Sequence, residues 1–216
     1  MQNQTFDAFV FDMDGTLLDT LEDLVAITNG VLEAHGYPTH DVPTIKRMVG
    51  NGYRSLISQA IPQDLDPAVA HDVIEEWKRE YEEHGTELTV VYEGMMDTLR
   101  ELKARGKKTA VLSNKYDLGV KILSDQYFGE LMDFALGDGP VPRKPDPTGL
   151  LVTAETLGVP LERVAYIGDT NTDITVAHNA GVFAIGCTWG YHTREQLEAE
   201  NPHALIDQPA DLLNYA

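Results

Sequence analysis

FVFDMDGTLLD, Phe9 to Asp19, sets an apolar run directly against two aspartates one position apart, followed by a glycine and a threonine. Phe9, Val10 and Phe11 have the β-rich character of a buried strand. Side chains at i and i+2 of a strand point to the same face, so Asp12 and Asp14 begin close together and repel. Something at that strand end must offset the repulsion.

From Arg105 onward, short β-rich runs alternate with helical stretches. The expected strands are KTAVLSN (108–114), MDFALGD (132–138), RVAYIGD (163–169), VFAIGC (182–187) and HALID (203–207). Between them lie helix-like segments at 116–128, 146–158, 170–181 and 193–201. This alternation implies βαβ units and an α/β fold, a Rossmann-like parallel sheet sandwiched by helices. The stretch 17–85 differs: Leu21, Leu24, Val25, Val31 and Leu32 recur at helical spacing, and no convincing strand follows. It reads as an all-helical insert, leaving 1–16 and 86–216 as the α/β core.

In such a sheet, ligands bind beyond the carboxyl ends of the strands. The polar candidates share that location. Asp12 and Asp14 end the first strand, Ser113 ends AVLS, and Asp169 ends VAYIGD. Lys144 stands in PRKPDP, where Asp146 is placed to cap a helix that begins at Pro147. Asp173 follows Asp169 by one helical turn. Several carboxylates at one sheet edge call for a cation, and oxygen ligands of this number suit Mg²⁺. A calcium-binding EF-hand does not fit, because its glycine stands sixth in the loop whereas Gly15 is fourth counting from Asp12.

Composition narrows the function further. Sixteen Lys and Arg against 35 Asp and Glu give a formal charge of −19, which argues against nucleic-acid and anionic-membrane surfaces. An anionic substrate must therefore find its positive charge locally. The one cysteine, Cys187, excludes an internal disulfide and reads as a small core residue. The first residues lack the pattern of a signal peptide, and no apolar run approaches the ~20 residues needed to span a bilayer. A cytoplasmic protein is expected. Whether it is a monomer or a homodimer is not legible.

DMDGT (12–16), Ser113 in LSNK, Lys144 in KPDP and GDTNTD (168–173), in that order, resemble the four signature motifs of the haloacid dehalogenase superfamily. The resemblance covers essentially the whole chain, with the helical insert at 17–85 corresponding to a cap domain. Within the superfamily the chain is most similar to the phosphoglycolate phosphatases, on FDMDGTLLDT, VGNG, YEGMMDTLRELKARGKKTAVLSNK, and GDTNTDITVAHNAG followed by TWGY.

The resemblance implies a Mg²⁺-dependent phosphatase acting on a small phosphorylated metabolite. Asp12 is the implied nucleophile, forming an aspartyl phosphate, and Asp14 the implied acid and base. The metal is assigned to Asp12, to the backbone carbonyl of Asp14, and to Asp169. Thr16, Ser113, Asn114 and Lys144 are assigned to the phosphate, and Asp173 is expected to orient Lys144 or a metal-bound water. In the insert, Arg54 is a candidate for a substrate carboxylate. Glu93 and Gly94 are hinge candidates, GNG at 50–52 reads as a loop of the insert, and EEWKREYEEHG reads as a solvated helix face.

Two rivals use a similar aspartate. A phosphomutase of the β-phosphoglucomutase type would share the Asp pair, but its usual cap signature is not evident in VGNGYRS. A signalling receiver domain is shorter, places its phosphorylated aspartate on a middle strand and lacks an inserted lobe. A dehalogenase proper needs neither Asp14 nor Mg²⁺.

Overall fold

The computed structural model describes residues 4–216. The chain forms two compact units, one made of the residues up to Leu18 together with Val91–Ala216, the other of Asp19–Val90. Strand β1 (Ala8–Phe11) opens the first unit, and a short strand β2 (Leu18–Asp19) leads out of it. Helices α1 (Leu21–Ala34), α2 (Val42–Met48), α3 (Gly52–Ala60) and α4 (Pro67–His84) make up the second unit, and β3 (Val90–Val91) pairs with β2 on the return. The first unit then continues with α5 (Met95–Ala104), β4 (Lys108–Tyr116), α6 (Asp117–Tyr127), β5 (Phe134–Asp138) and α7 (Thr148–Leu157). It closes with β6 (Val164–Gly168), α8 (Asn171–Ala180), β7 (Phe183–Cys187), α9 (Arg194–Ala199) and β8 (Ala204–Ile206).

Six strands pair in the order β5-β4-β1-β6-β7-β8, every neighbouring pair parallel. Alternation along the strands feeds two cores. Phe9, Phe11, Val111, Ile167 and Ile185 face α5 and α6 through Met95, Leu99, Val120 and Leu123. Ala8, Val10, Ala110, Val164 and Ala184 face α7 and α8 through Leu150, Ala154, Ile174 and Ala177. Both faces of the sheet are therefore covered, which is why its strands read as nearly continuous apolar runs. The chain order reverses at β1, with β4 and β5 on one side and β6 to β8 on the other, so the carboxyl ends of β1, β4 and β6 border the crevice where ligands of such sheets bind.

In the helical unit, α4 starts where Asp66 accepts the Ala68 N–H (2.8 Å) ahead of Pro67 as the first helical residue. Its charges line the solvent side, but Val73, Ile74, Trp77 and Tyr81 form a buried stripe. The run EEWKREYEEHG is thus more than a solvated face: Trp77 stacks between Tyr53 and Tyr81 and donates from Nε1 to Thr28 Oγ1 (3.0 Å). Gly50, in the turn between α2 and α3, and Gly52, the first residue of α3, take positive φ values of 114° and 75°. The unit reaches beyond residue 85 because buried Asp23 accepts the Thr89 hydroxyl (2.6 Å) and the Leu88 N–H (3.1 Å), tying that segment back to α1.

Arg54 lies in this unit, where it pairs with Glu75 of α4 at 2.7 Å and sits over the Tyr53 ring at 5.1 Å. Among the described residues no helix is long and apolar enough to cross a membrane.

Candidate active site

Directly after β1 the Asp12 N–H still bonds the Ile167 carbonyl (2.8 Å), which fixes the residue between β1 and β6. The chain then turns tightly around the Met13 carbonyl, which accepts the N–H groups of Thr16, Leu17 and Leu18. Gly15 makes the turn possible with φ +82°; a Cβ there would also stand 2.3 Å from Asp169 Oδ2. The turn delivers the Thr16 hydroxyl to Asp169 Oδ1 at 2.8 Å.

Lys144 sits at the centre of the site. Its Nζ lies 3.0 Å from Asp12 Oδ2, 2.7 Å from Asp173 Oδ1 and 2.9 Å from the Tyr166 hydroxyl, which itself donates to the Leu112 carbonyl at 2.8 Å. Asn114 clamps the lysine's backbone, accepting the Lys144 N–H at 2.9 Å and donating to its carbonyl at 3.2 Å. Its side chain thus holds the loop that carries Lys144. The cap expected at Asp146 is not the one formed: α7 starts at Thr148 with Pro147 as its N-cap, and Asp146, one residue earlier, accepts the Thr148 N–H (2.9 Å) in the turn that leads into the helix.

Asp173 has two duties. One oxygen takes the Lys144 ammonium; the other accepts the Thr170 N–H (3.0 Å) and hydroxyl (2.7 Å), closing a capping box at the start of α8. Asp169 is held as firmly. Besides Thr16, it accepts the Tyr191 N–H at 2.8 Å, and the Trp189 indole donates to the Thr16 carbonyl at 3.0 Å. Gly190 lies so close that a Cβ would stand 2.3 Å from Asp169 Cβ and 2.4 Å from the Gly15 carbonyl oxygen.

The structure therefore brings Asp12, Thr16, Asp169, Asp173, Lys144 and the Asn114 clamp into one buried network. Ser113 joins it on β4, where its hydroxyl accepts the Lys115 N–H at 3.3 Å and bonds the Asp12 carboxylate. Asp14 is turned to Lys115, whose Nζ lies 3.0 and 3.2 Å from its two oxygens. Three contributors escaped the sequence reading: Lys115, Tyr166, and the Trp189–Tyr191 loop. A tyrosine within an otherwise aliphatic strand was the one available signal, since its hydroxyl needs a buried partner.

The electrostatics show what the cluster lacks. Asp12, Asp169 and Asp173 each offer an oxygen within 4.8 Å of the others, all three buried. Burial is the largest influence on Asp12 and raises its pKa to about 6 against the pull of Lys144. Burial, then Asp173 and Asp12, push Asp169 well above the usual carboxylate range. Burial pulls Lys144 down, but Asp12 and Asp173 together hold its pKa above the ordinary lysine value, so it stays an ammonium. One ammonium among three carboxylates leaves an excess of negative charge. An oxygen-only donor set with that excess fits a hard divalent cation.

These groups meet at one edge of the parallel sheet: Asp12 and Asp169 directly after β1 and β6, and Lys144 from the loop between β5 and α7. The family model for haloacid dehalogenase-like hydrolases matches residues 9–187, and the chain belongs to that family. It is 35% identical over 211 residues to the phosphoglycolate phosphatase of Pseudomonas putida KT2440, covering 94% of this chain and 77% of that protein. With phosphoglycolate phosphatase 1 of Pseudomonas aeruginosa PAO1 it shares 32% identity over 216 residues, at the same coverages. Among solved structures it is similar to a Lactobacillus delbrueckii subsp. bulgaricus protein named provisionally as a phosphoglycolate phosphatase, with TM-score 0.91, 29% identity and 97% of each chain covered. By these relationships it is a phosphoric monoester hydrolase.

Proposed function

We propose that the protein is a Mg²⁺-dependent phosphatase that hydrolyses 2-phosphoglycolate or a closely related small phosphomonoester through an aspartyl phosphate on Asp12. The observation that carries this reading is the position of Asp12: a buried carboxylate at a sheet edge, 3.0 Å from the Lys144 ammonium and grouped with Asp169 and Asp173.

In the first half-reaction an Asp12 oxygen attacks phosphorus in line, the bond from phosphorus to the ester oxygen breaks, and Asp14 protonates the departing alkoxide. In the second, Asp14 takes a proton from water as that water attacks phosphorus, releasing inorganic phosphate and restoring Asp12. Lys144 balances charge on both the nucleophile and the phosphoryl oxygens, which is the main demand of phosphoryl transfer. The Ser113 hydroxyl and the Asn114 N–H serve the phosphate oxygens, while the Thr16 hydroxyl is already committed to Asp169. A Mg²⁺ held by Asp12, the Asp14 carbonyl and Asp169 would supply positive charge that reduces repulsion between substrate phosphate and carboxylates. Asp173 keeps Lys144 in place.

The test is phosphate release from a panel of small phosphomonoesters, with and without Mg²⁺, with Asp12→Asn alongside. Turnover that needs Mg²⁺, prefers 2-phosphoglycolate and vanishes in the variant is expected. Turnover that requires a sugar bisphosphate would instead favour a phosphotransferase. Stable phosphorylation with no turnover would favour a phospho-aspartate switch.

A further inference from the structure

Lys115 is a buried lysine that the mechanism above does not use. Its side chain is only 6% exposed, and its ammonium meets both oxygens of Asp14 at 3.0 and 3.2 Å. Burying an ammonium is unfavourable, and lysines ordinarily reach for solvent instead. Neutralising Asp14 does not require it, because the Asp14 side chain is itself 17% exposed and within reach of water.

The backbone is shaped to put Lys115 there. Strand β4 runs past Ser113 to Tyr116, with an irregular register against β5 between Leu112 and Tyr116, the kind of feature that re-aims a side chain. Gly137 of β5 admits the irregular segment: a Cβ there would stand 2.6 Å from the Lys115 carbonyl oxygen and 2.5 Å from Asp117 Cα. Asp117 then fastens it by accepting the Gly137 N–H at 3.0 Å.

The site thus holds two buried ammonium groups with separate neighbours. Lys144 stands beside the nucleophile Asp12, and Lys115 stands beside Asp14, the residue that hands a proton to the leaving oxygen. A leaving oxygen hydrogen-bonded to Asp14 brings the next few atoms of the leaving group within reach of the Lys115 ammonium. In a phosphorylated 2-hydroxy acid, the carboxylate oxygens are three bonds from that ester oxygen.

We propose that Lys115 is a specificity-determining residue that binds a carboxylate on the leaving alcohol, selecting 2-phosphoglycolate and short phosphorylated 2-hydroxy acids over phosphomonoesters whose leaving alcohol is uncharged. The proposal rests on the phosphatase reading and adds the group that recognises the substrate. It also explains how a protein of charge −19 selects a substrate carrying a second anionic group besides the phosphate. Arg54, the other candidate for that carboxylate, is engaged with Glu75 and Tyr53.

The test compares kcat/KM for 2-phosphoglycolate with that for ethyl phosphate, which replaces the carboxylate by a methyl group. The comparison is made in the full-length wild type and in Lys115→Gln, Lys115→Arg and Arg54→Ala. The ratio is the readout, because any disturbance of Asp14 affects both substrates alike. The wild type is expected to prefer 2-phosphoglycolate, and Lys115→Gln to reduce that preference by about 10- to 100-fold, the size of a charge-assisted hydrogen bond. Lys115→Arg keeps the charge and is expected to retain most of the preference. If Lys115→Gln fails to fold, loss of the preference in Lys115→Arg, or its collapse in Arg54→Ala, overturns the proposal. An unchanged ratio in a folded Lys115→Gln overturns it as well. A wild type that hydrolyses ethyl phosphate with no preference for 2-phosphoglycolate overturns it while leaving the phosphatase intact; a wild type that hydrolyses neither, nor any other monoester, overturns both.

Discussion

Asp173 Oδ1 accepts a hydrogen bond of 2.7 Å from Lys144 Nζ, and neither side chain is more than 2% exposed. The same carboxylate caps α8, so a single residue joins the start of a helix to the central cation of the site. Removing Asp173 leaves Lys144 with Asp12 at 3.0 Å, so the ammonium keeps an anionic partner and the loss falls mainly on the start of α8.

Asp173→Ala is therefore expected to lower the unfolding free energy by about 1–2 kcal/mol, through loss of the capping box at Thr170. Asp173→Asn, which keeps an acceptor for Lys144, is expected to lose less stability. Both should reduce phosphate release by about 10–100-fold through displacement of Lys144. Urea titrations followed by tryptophan fluorescence, together with initial rates, check this. Equal stability of the alanine variant and the wild type would refute the structural part.

Gly190 offers a test of the loop that holds Asp169. An alanine Cβ would fall 2.3 Å from Asp169 Cβ and 2.4 Å from the Gly15 carbonyl oxygen, both inside any tolerated contact. Gly190→Ala must therefore shift the Tyr191 N–H off Asp169, or move Asp169 itself. A destabilisation of about 1–3 kcal/mol is expected, typical of overpacking a well-packed site. The Mg²⁺ concentration for half-maximal activity should rise. An unaltered Mg²⁺ dependence would show that the loop does not position the carboxylate.

The strand ends were legible because a buried parallel strand is an uninterrupted apolar run, so the first polar residue after it stands out: Asp12 after Phe11, Asp169 after Gly168. Lys144 was legible through its neighbours Pro145, Asp146 and Pro147 rather than through any periodicity. Lys115 was not, because strand alternation alone does not reveal the irregular register that follows Leu112. Nor was the role of Gly190, whose significance lies in its proximity to Gly15 and Asp169, residues distant in the chain. The limits of the helical unit depended on Asp23 bonding Leu88 and Thr89, again a contact between residues far apart in sequence.

A pH-dependent contribution to stability is expected away from the site. Burial pushes the Asp133 carboxyl up, but hydrogen bonds from Lys103 (2.7 Å) and the Thr109 N–H (2.9 Å), with the charge of Lys108, bring it below its ordinary value of 3.8. A carboxylate with a depressed folded-state pKa stabilises above its unfolded pKa and loses that contribution as pH falls through the folded value. Asp133→Asn is therefore expected to be less stable than the wild type by on the order of 1 kcal/mol at pH 7, a value already reduced for partial exposure. Urea midpoints measured from pH 7 down to below pH 4 should converge. A gap that stays constant or widens on acidification would refute the assignment.

The excess charge around Asp12, Asp169 and Asp173 makes metal binding measurable without turnover. A cation that binds the folded but not the unfolded chain stabilises by RT ln(1 + [L]/Kd), about 2.7 kcal/mol at one hundred times Kd. For a chain of this size that corresponds to an increase in melting temperature of roughly 5–10 °C. Protein stripped with a chelator should melt progressively higher as Mg²⁺ is added, at fixed ionic strength so that general screening is held constant. Asp169→Asn tests the site itself, because it removes one of three clustered negative charges while keeping an acceptor for either Thr16 or the Tyr191 N–H. Its melting temperature should respond little to Mg²⁺ over the same range. A wild type insensitive to Mg²⁺ would exclude a specific site for that ion, and an undiminished shift in Asp169→Asn would place the ion elsewhere.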